Sequence, residues 1–129
     1  MFIVISMTSP DPMHKQVKDQ IVNAIAGGNL KPHEQLPSIR QMAAELKISP
    51  ITIKRSYADM ESEGYIYARQ GLGSFVCEVN RDKLRVEKLA EIRKEVERII
   101  KEGEKYGIST GEIIAAIRDR EGETGGKNR

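Results

Sequence analysis

Leu36-Pro37-Ser38-Ile39-Arg40-Gln41-Met42-Ala43, then Ile48-Ser49-Pro50-Ile51-Thr52-Ile53-Lys54-Arg55, then Arg69-Gln70-Gly71-Leu72-Gly73-Ser74-Phe75-Val76: these three stretches, in this order, decide the fold. In the first, Ser38 is a helix-capping residue ahead of Ile39, Met42, Ala43 and Leu46, which keep the spacing of one buried helical face. In the second, Ser49 precedes Pro50 at the first helical position, and Ile53, Tyr57 and Met60 recur with helical period until Glu63-Gly64 closes the run. Only Lys47-Ile48 joins the two helices, so they must cross sharply, which is the spacing of a helix-turn-helix. The third stretch belongs to a hairpin. Tyr65 to Arg69 and Ser74 to Glu78 are rich in strand formers, and Gly71 and Gly73 between them permit the positive φ of a tight turn.

Upstream, Asp11-Pro12 reads as an N-cap and first-turn proline, after which Met13, Val17, Ile21, Ala24 and Ile25 share a face until Gly27-Gly28. Leu30 to Gln35 reads as a turn-bearing connection. The opening Met1 to Ile5 is apolar but short for a signal-peptide core and lacks a basic flank; Phe2 to Ile5 is expected to form a short strand. Downstream, Arg81 to Lys105 is a charged helical segment with Leu89, Ile92, Val96 and Ile99 spaced by three and four and bordered by pairs such as Glu97 with Lys101. Gly107 breaks it. Ser109-Thr110-Gly111-Glu112 is a capping box opening a last helix with Ile113, Ile114 and Ile117, and Glu121 to Arg129 reads as disordered.

The expected fold is therefore mainly α with a small β-hairpin: a winged helix-turn-helix over residues 10–79 and a helical tail over 80–129. Two amphipathic helices have too little area for a core of their own, so Leu89, Ile92, Val96, Ile99, Ile113 and Ile117 are expected to pack between the helices and against a second copy. The alternative is a helix docked back on its own winged domain.

Composition narrows the function. With 129 residues there is room for one compact domain and an appendage, and the single Cys77 cannot form an internal disulfide, which fits a reducing, cytoplasmic setting. No stretch approaches the roughly twenty apolar residues of a membrane span, so no membrane partner is expected. His14, His33 and Cys77 are not spaced with further ligands or a catalytic base, and neither a nucleophile elbow nor a phosphate-binding loop occurs; no enzymatic activity, metal or cofactor is expected. The net charge is only +2, and residues 1–79 carry eight cations against eight carboxylates. Distribution matters more: Arg40, Lys47, Lys54, Arg55 and Arg69 lie in or beside the helix-turn-helix, while Asp59, Glu61 and Glu63 cluster at the far end of its second helix.

With Ile53, Tyr57 and Met60 inward, helical periodicity turns Ser49, Thr52, Lys54, Arg55 and Ser56 outward, the short hydroxyls and long cations that reach base edges and phosphates in a major groove. A solvated polar face is the bland reading of such a helix. The preceding short helix, the tight turn and the wing favour double-stranded DNA as the partner. At the hairpin, Gly71 serves either the turn alone or close approach to a phosphate or groove floor.

The run Leu-Pro-Ser-x-Arg-x-x-Ala at 36–43, Ser-x-x-Thr-x-x-Arg at 49–55, Glu63-Gly64-Tyr65 and the Arg-x-Gly-x-Gly-Ser-Phe-Val wing at 69–76 resemble the GntR family of bacterial transcriptional regulators. The resemblance implies Ser38 and Arg40 on DNA from the first helix of the motif, Ser49, Pro50, Thr52 and Lys54 at the recognition-helix end (about 50–63), and Gln70 and Gly71 at the tip of the wing (65–78). His33 stands where the family usually has the glycine of a Pro-Gly turn, and Pro50 where many members carry a base-reading arginine. The tail is similar to the short-tailed YtrA branch, whose members dimerise through a helical pair; about fifty residues after Val79 leave no room for a large effector domain. A homodimeric repressor reading a palindrome follows from this resemblance, acting on a nearby operon, often one encoding a membrane transporter. A small-molecule effector of unknown identity would have to lodge between the tail helices or at their junction with the winged domain. The competing expectation is a winged-helix module for protein assembly without base readout.

Overall fold

The computed structural model describes residues 3–124, and the chain forms two compact units, 1–84 and 85–129. In the first unit, α1 (Met13–Ala26), α2 (Ile39–Leu46) and α3 (Pro50–Ser62) are followed by a two-stranded antiparallel hairpin, β1 (Ile66–Arg69) and β2 (Gly73–Val76). Each helix contributes its apolar stripe to one core: Val17, Ile21 and Ile25 from α1, Met42 and Ala43 from α2, Ile53, Tyr57 and Met60 from α3, closed by Leu30, Leu36, Ile66 and Val76. Ile39 and Leu46 of α2 pack at its edge.

Pro12 is the N-cap of α1, not its first residue. Its φ/ψ of −59°/153° lies outside the helix and no side chain caps it, while the Asp11 carboxylate pairs with Lys15 at 3.6 Å instead. The two serine caps are as the sequence predicts. Ser38 and Gln41 form a reciprocal capping box, and Ser49 Oγ accepts from the Ile51 amide with Pro50 at the helix start. Lys47 ends α2 in the left-handed conformation, φ 56°, which turns the chain into α3 within three residues.

Ile3 to Ser6 form no strand, and Phe2 lies outside the described residues. Two glutamines one turn apart on α1 take the place of a strand partner. Gln20 accepts from the Val4 amide at 3.0 Å and donates to the Val4 carbonyl at 2.8 Å, and Gln16 does the same for Ser6 at 2.8 and 3.0 Å. The backbone is satisfied by side chains, and Ile3 and Ile5 still pack on the core.

The hairpin pairs Ile66 with Val76 through Arg69 with Gly73, and the Cys77 amide extends the ladder to the Tyr65 carbonyl. A third segment joins it. His33 N–H donates to Val76 O, Val76 N–H to Glu34 O and Leu36 N–H to Ser74 O, at 2.7 to 2.9 Å, with Gln35 bridged to Phe75. The connection at 33–36 is thus an edge of the sheet as well as a turn. His33 adopts φ 69° there, the left-handed conformation for which glycine is the usual residue, and its Nδ1 lies 2.9 Å from the Tyr67 hydroxyl.

The second unit begins within the long helix α4 (Arg81–Glu104), which is followed by α5 (Thr110–Thr124). Gly107, at φ 71°, turns the chain, and Ser109 and Glu112 form the capping box, with exchanged bonds of 2.7 and 3.1 Å. The ion pairs along α4 and the following turn are Lys88–Glu91, Glu95–Arg98 and Glu102–Lys105, spaced by three; Glu97 and Lys101 do not pair. Residues 121–124, expected from sequence to be disordered, continue α5, and 125–129 lie outside the described residues. No helix among the described residues is long and apolar enough to cross a membrane.

Candidate nucleic-acid interface

The segment 33–38 connects three elements. On one side, the Tyr57 hydroxyl donates to the Pro37 carbonyl at 2.7 Å, tying α3 to the residue before the α2 cap. On the other, Gln35 Nε2 donates to the Leu72 carbonyl at 2.7 Å, and the Leu36 amide to Ser74 O, tying the wing turn to the same segment. The start of α2, the body of α3 and the wing are therefore registered through a few residues. Burial pushes the Tyr57 phenol well above its ordinary range, with the Glu45 carboxylate adding to the effect, so it stays a neutral donor. Sequence reasoning identifies neither Tyr57 nor Gln35 as a tether. Tyr57 is legible as a polar tip on a core residue, whereas no local pattern marks Gln35.

Ser38, Arg40, Ser49, Pro50, Lys54 and Arg55 are exposed, and Thr52 is half-buried beside them. Ser56 is a correction. It is fully buried, and its hydroxyl donates to His14 O at 2.7 Å with Thr52 O at 3.3 Å, fastening α3 to α1. A buried serine can sit in a helix when its hydroxyl has a carbonyl within reach, and apolar periodicity alone cannot anticipate that partner. Ser38 and Ser49 also spend their hydroxyls on capping.

Among the described residues, Arg40, Lys47, Lys54 and Arg55 have no carboxylate partner, whereas Lys15 and Lys18 of α1 pair with Asp19 and Glu63 at 2.6 and 3.0 Å. The Lys18–Glu63 pair sits at the C-terminal end of α3, where Asp59 and Glu61 also lie, while the cations at the N-terminal end have no carboxylate partner among the described residues. Unpaired cations around a helix N-terminus suit a polyanion. On the wing, Gln70, Gly71 and Leu72 are exposed; Gly71 has φ 77°, and a Cβ added there would meet nothing within 4 Å. Arg69 stacks over the Tyr67 ring, its Cζ 5.8 Å from the centroid, and Tyr67 stacks on Phe75 at 5.6 Å.

The arrangement matches known proteins. Residues 13–76 match the model of the gntR family of bacterial regulatory proteins. The HTH-type transcriptional regulator YhcF of Bacillus subtilis (strain 168) is 34% identical over 112 residues, 85% of this chain and 90% of YhcF. This chain belongs to the GntR family. The HTH-type transcriptional repressor YtrA of the same organism is 26% identical over 117 residues, 91% of this chain and 90% of YtrA. Among solved structures, the DNA-binding domain of AraR in complex with operator ORX1 superposes with a TM-score of 0.54 at 27% identity, covering 60% of this chain and 99% of that one. The GntR-family chain is a DNA-binding transcriptional regulator and not an enzyme.

In the second unit of this GntR-family chain, Leu89, Ile92, Val96 and Ile99 are 41, 49, 39 and 43% exposed, Ile117 is 57% exposed, and Ile113 is half-buried. Val96, Ile99, Ile113, Ala116 and Ile117 line an open apolar cleft of about 480 Å³ between α4 and α5. No α4 residue is buried in the single chain.

Proposed function

We propose that this regulator is a cytoplasmic homodimeric repressor in which residues 10–79 read DNA and residues 80–129 hold two copies together. The observation that carries the DNA half is the set of carboxylate-free cations, Arg40, Lys47, Lys54 and Arg55, around the α2–α3 turn. In this reading α3 enters the major groove, with Ser49, Pro50, Thr52, Lys54 and Arg55 at its leading end; Ser38 and Arg40 contact the backbone beside it, and Arg69, Gln70 and Gly71 serve the wing. The exposed stripe Leu89, Ile92, Val96 and Ile99 supports the dimer, because an apolar stripe on a highly charged helix is best buried against its own copy. Two such copies would read a palindrome with half-sites about 34–36 Å apart or a multiple of it. Repression follows the YtrA likeness.

Fluorescence anisotropy with the operator duplex tests this reading. Lys54→Ala is expected to weaken binding by about 1 to 3 kcal/mol and relax preference at one position, as loss of a base contact does. Arg40→Ala is expected to weaken all duplexes alike and to lower the salt slope by about 1. Unchanged binding by both variants would refute this assignment and favour a protein-assembly module.

A further inference from the structure

Ile51 lies in the first turn of α3 and is 80% exposed, whereas Ile53, Ser56, Tyr57 and Met60 of the same helix are at most 4% exposed. At about 100° per residue it leaves the helix about 200° from Ile53, opposite the buried stripe and one turn before Arg55. Its geometry is fixed: Ser49 Oγ holds the Ile51 amide at 3.2 Å, and Pro50 constrains the preceding φ. A single exposed aliphatic residue on a surface needs no explanation. Ile51, however, sits between Ser49-Pro50 and the unpaired Lys54-Arg55, on the face proposed to enter the groove. An aliphatic side chain cannot donate or accept a hydrogen bond, and the major-groove edges of the bases offer one apolar group, the 5-methyl of thymine.

We propose that Ile51 is a specificity-determining residue that reads a thymine 5-methyl group in each operator half-site. The inference rests on the DNA-reading role of α3 proposed above. Contact between the isoleucine and the methyl group removes apolar surface of both from water, and the gain is lost if either is removed.

The test uses the full chain and the operator obtained by selection from a random duplex pool, with each thymine replaced in turn by deoxyuridine, which lacks only the methyl. At one thymine per half-site, the replacement is expected to weaken the wild type about fourfold, the equivalent of burying one methyl-sized group. Ile51→Ala, at an exposed helical position where alanine is tolerated, is expected to bind the thymine operator more weakly and to respond less than about 1.5-fold to deoxyuridine at that position, well below the methyl-sized effect. Ile51→Leu should keep part of the thymine preference. Equal weakening of Ile51→Ala on both duplexes, or an undiminished thymine preference in that variant, overturns the methyl contact while leaving DNA reading by α3 intact. A wild type that selects no sequence at all overturns both.

Discussion

Replacing Tyr57 by phenylalanine isolates the bond that ties α3 to the start of α2. The ring, 4% exposed, stays in the core, and only the O–H donor to Pro37 O at 2.7 Å is lost. A typical net hydrogen bond contributes about 1 kcal/mol, and an abandoned buried partner costs about 1 to 3 kcal/mol. Pro37 is half-buried, so water reaches part of it and the cost falls in the lower part of that range, about 1 to 2 kcal/mol. With a urea dependence on the order of 1 kcal/mol per molar for a small unit, the unfolding midpoint drops by about 1 to 2 M at neutral pH. The alkaline range gives a second reading from the same phenol. Its folded pKa is raised above the ordinary 10.0, mainly by burial, so the stabilisation is complete below pH 10 and is lost as pH rises from there toward the folded value. The wild type should therefore lose stability faster than Tyr57→Phe above pH 10, by up to about 1.4 kcal/mol per pH unit, and the gap between them should close. Equal midpoints at neutral pH, or parallel alkaline profiles, would refute the reasoning.

Three further outcomes are expected. Gly73 has φ 122° and a Cβ there would meet Gln35 Nε2 at 2.8 Å, whereas Gly71 at φ 77° faces open space; Gly73→Ala should therefore lower the melting temperature more than Gly71→Ala, with costs of about 1 to 3 and about 1 kcal/mol. Burial, with the Glu61 carboxylate, pushes the Cys77 thiol upward, so alkylation by iodoacetamide at pH 8 should be slower in the folded chain than in urea, and equal rates would contradict the burial. Val96→Glu places a charge in the apolar stripe and should shift sedimentation equilibrium toward monomer without loss of helix signal; an unchanged mass would argue against that stripe as the interface.

The helices and hairpin are legible because their signals are local: Ser38 and Ser49 as caps, Pro50 at a first turn, a repeated apolar spacing, and glycines where φ turns positive. Several of the features that sequence reasoning misses have partners that lie far away along the chain. Ile3 and Ile5 read as a strand, but Gln16 and Gln20 occupy the backbone groups that a strand neighbour would use. Ser56 is read as outward from the helical period, yet at three residues from Ile53 and four from Met60 it shares their buried face, where the His14 carbonyl 42 residues away takes its hydroxyl. The edge at 33–36 looks like a turn because its polar residues carry no strand pattern, and pairing with β2 arises only in three dimensions. On the candidate surface, the cations are legible by type; their lack of carboxylate partners is set only by how the helices pack. The exposure of Ile51 follows from the same helical phase on α3 that turns Lys54 and Arg55 outward.

Selection of bound duplexes by the full chain from a random double-stranded pool, followed by anisotropy titration of the winner against a scrambled duplex at two salt concentrations, tests the central claim most directly. The expected result is enrichment of a two-fold symmetric motif whose preference over scrambled DNA survives the higher salt, because base contacts depend less on counterion release than phosphate contacts do. Failure to enrich any motif, with binding to all duplexes that fades together as salt rises, would contradict it.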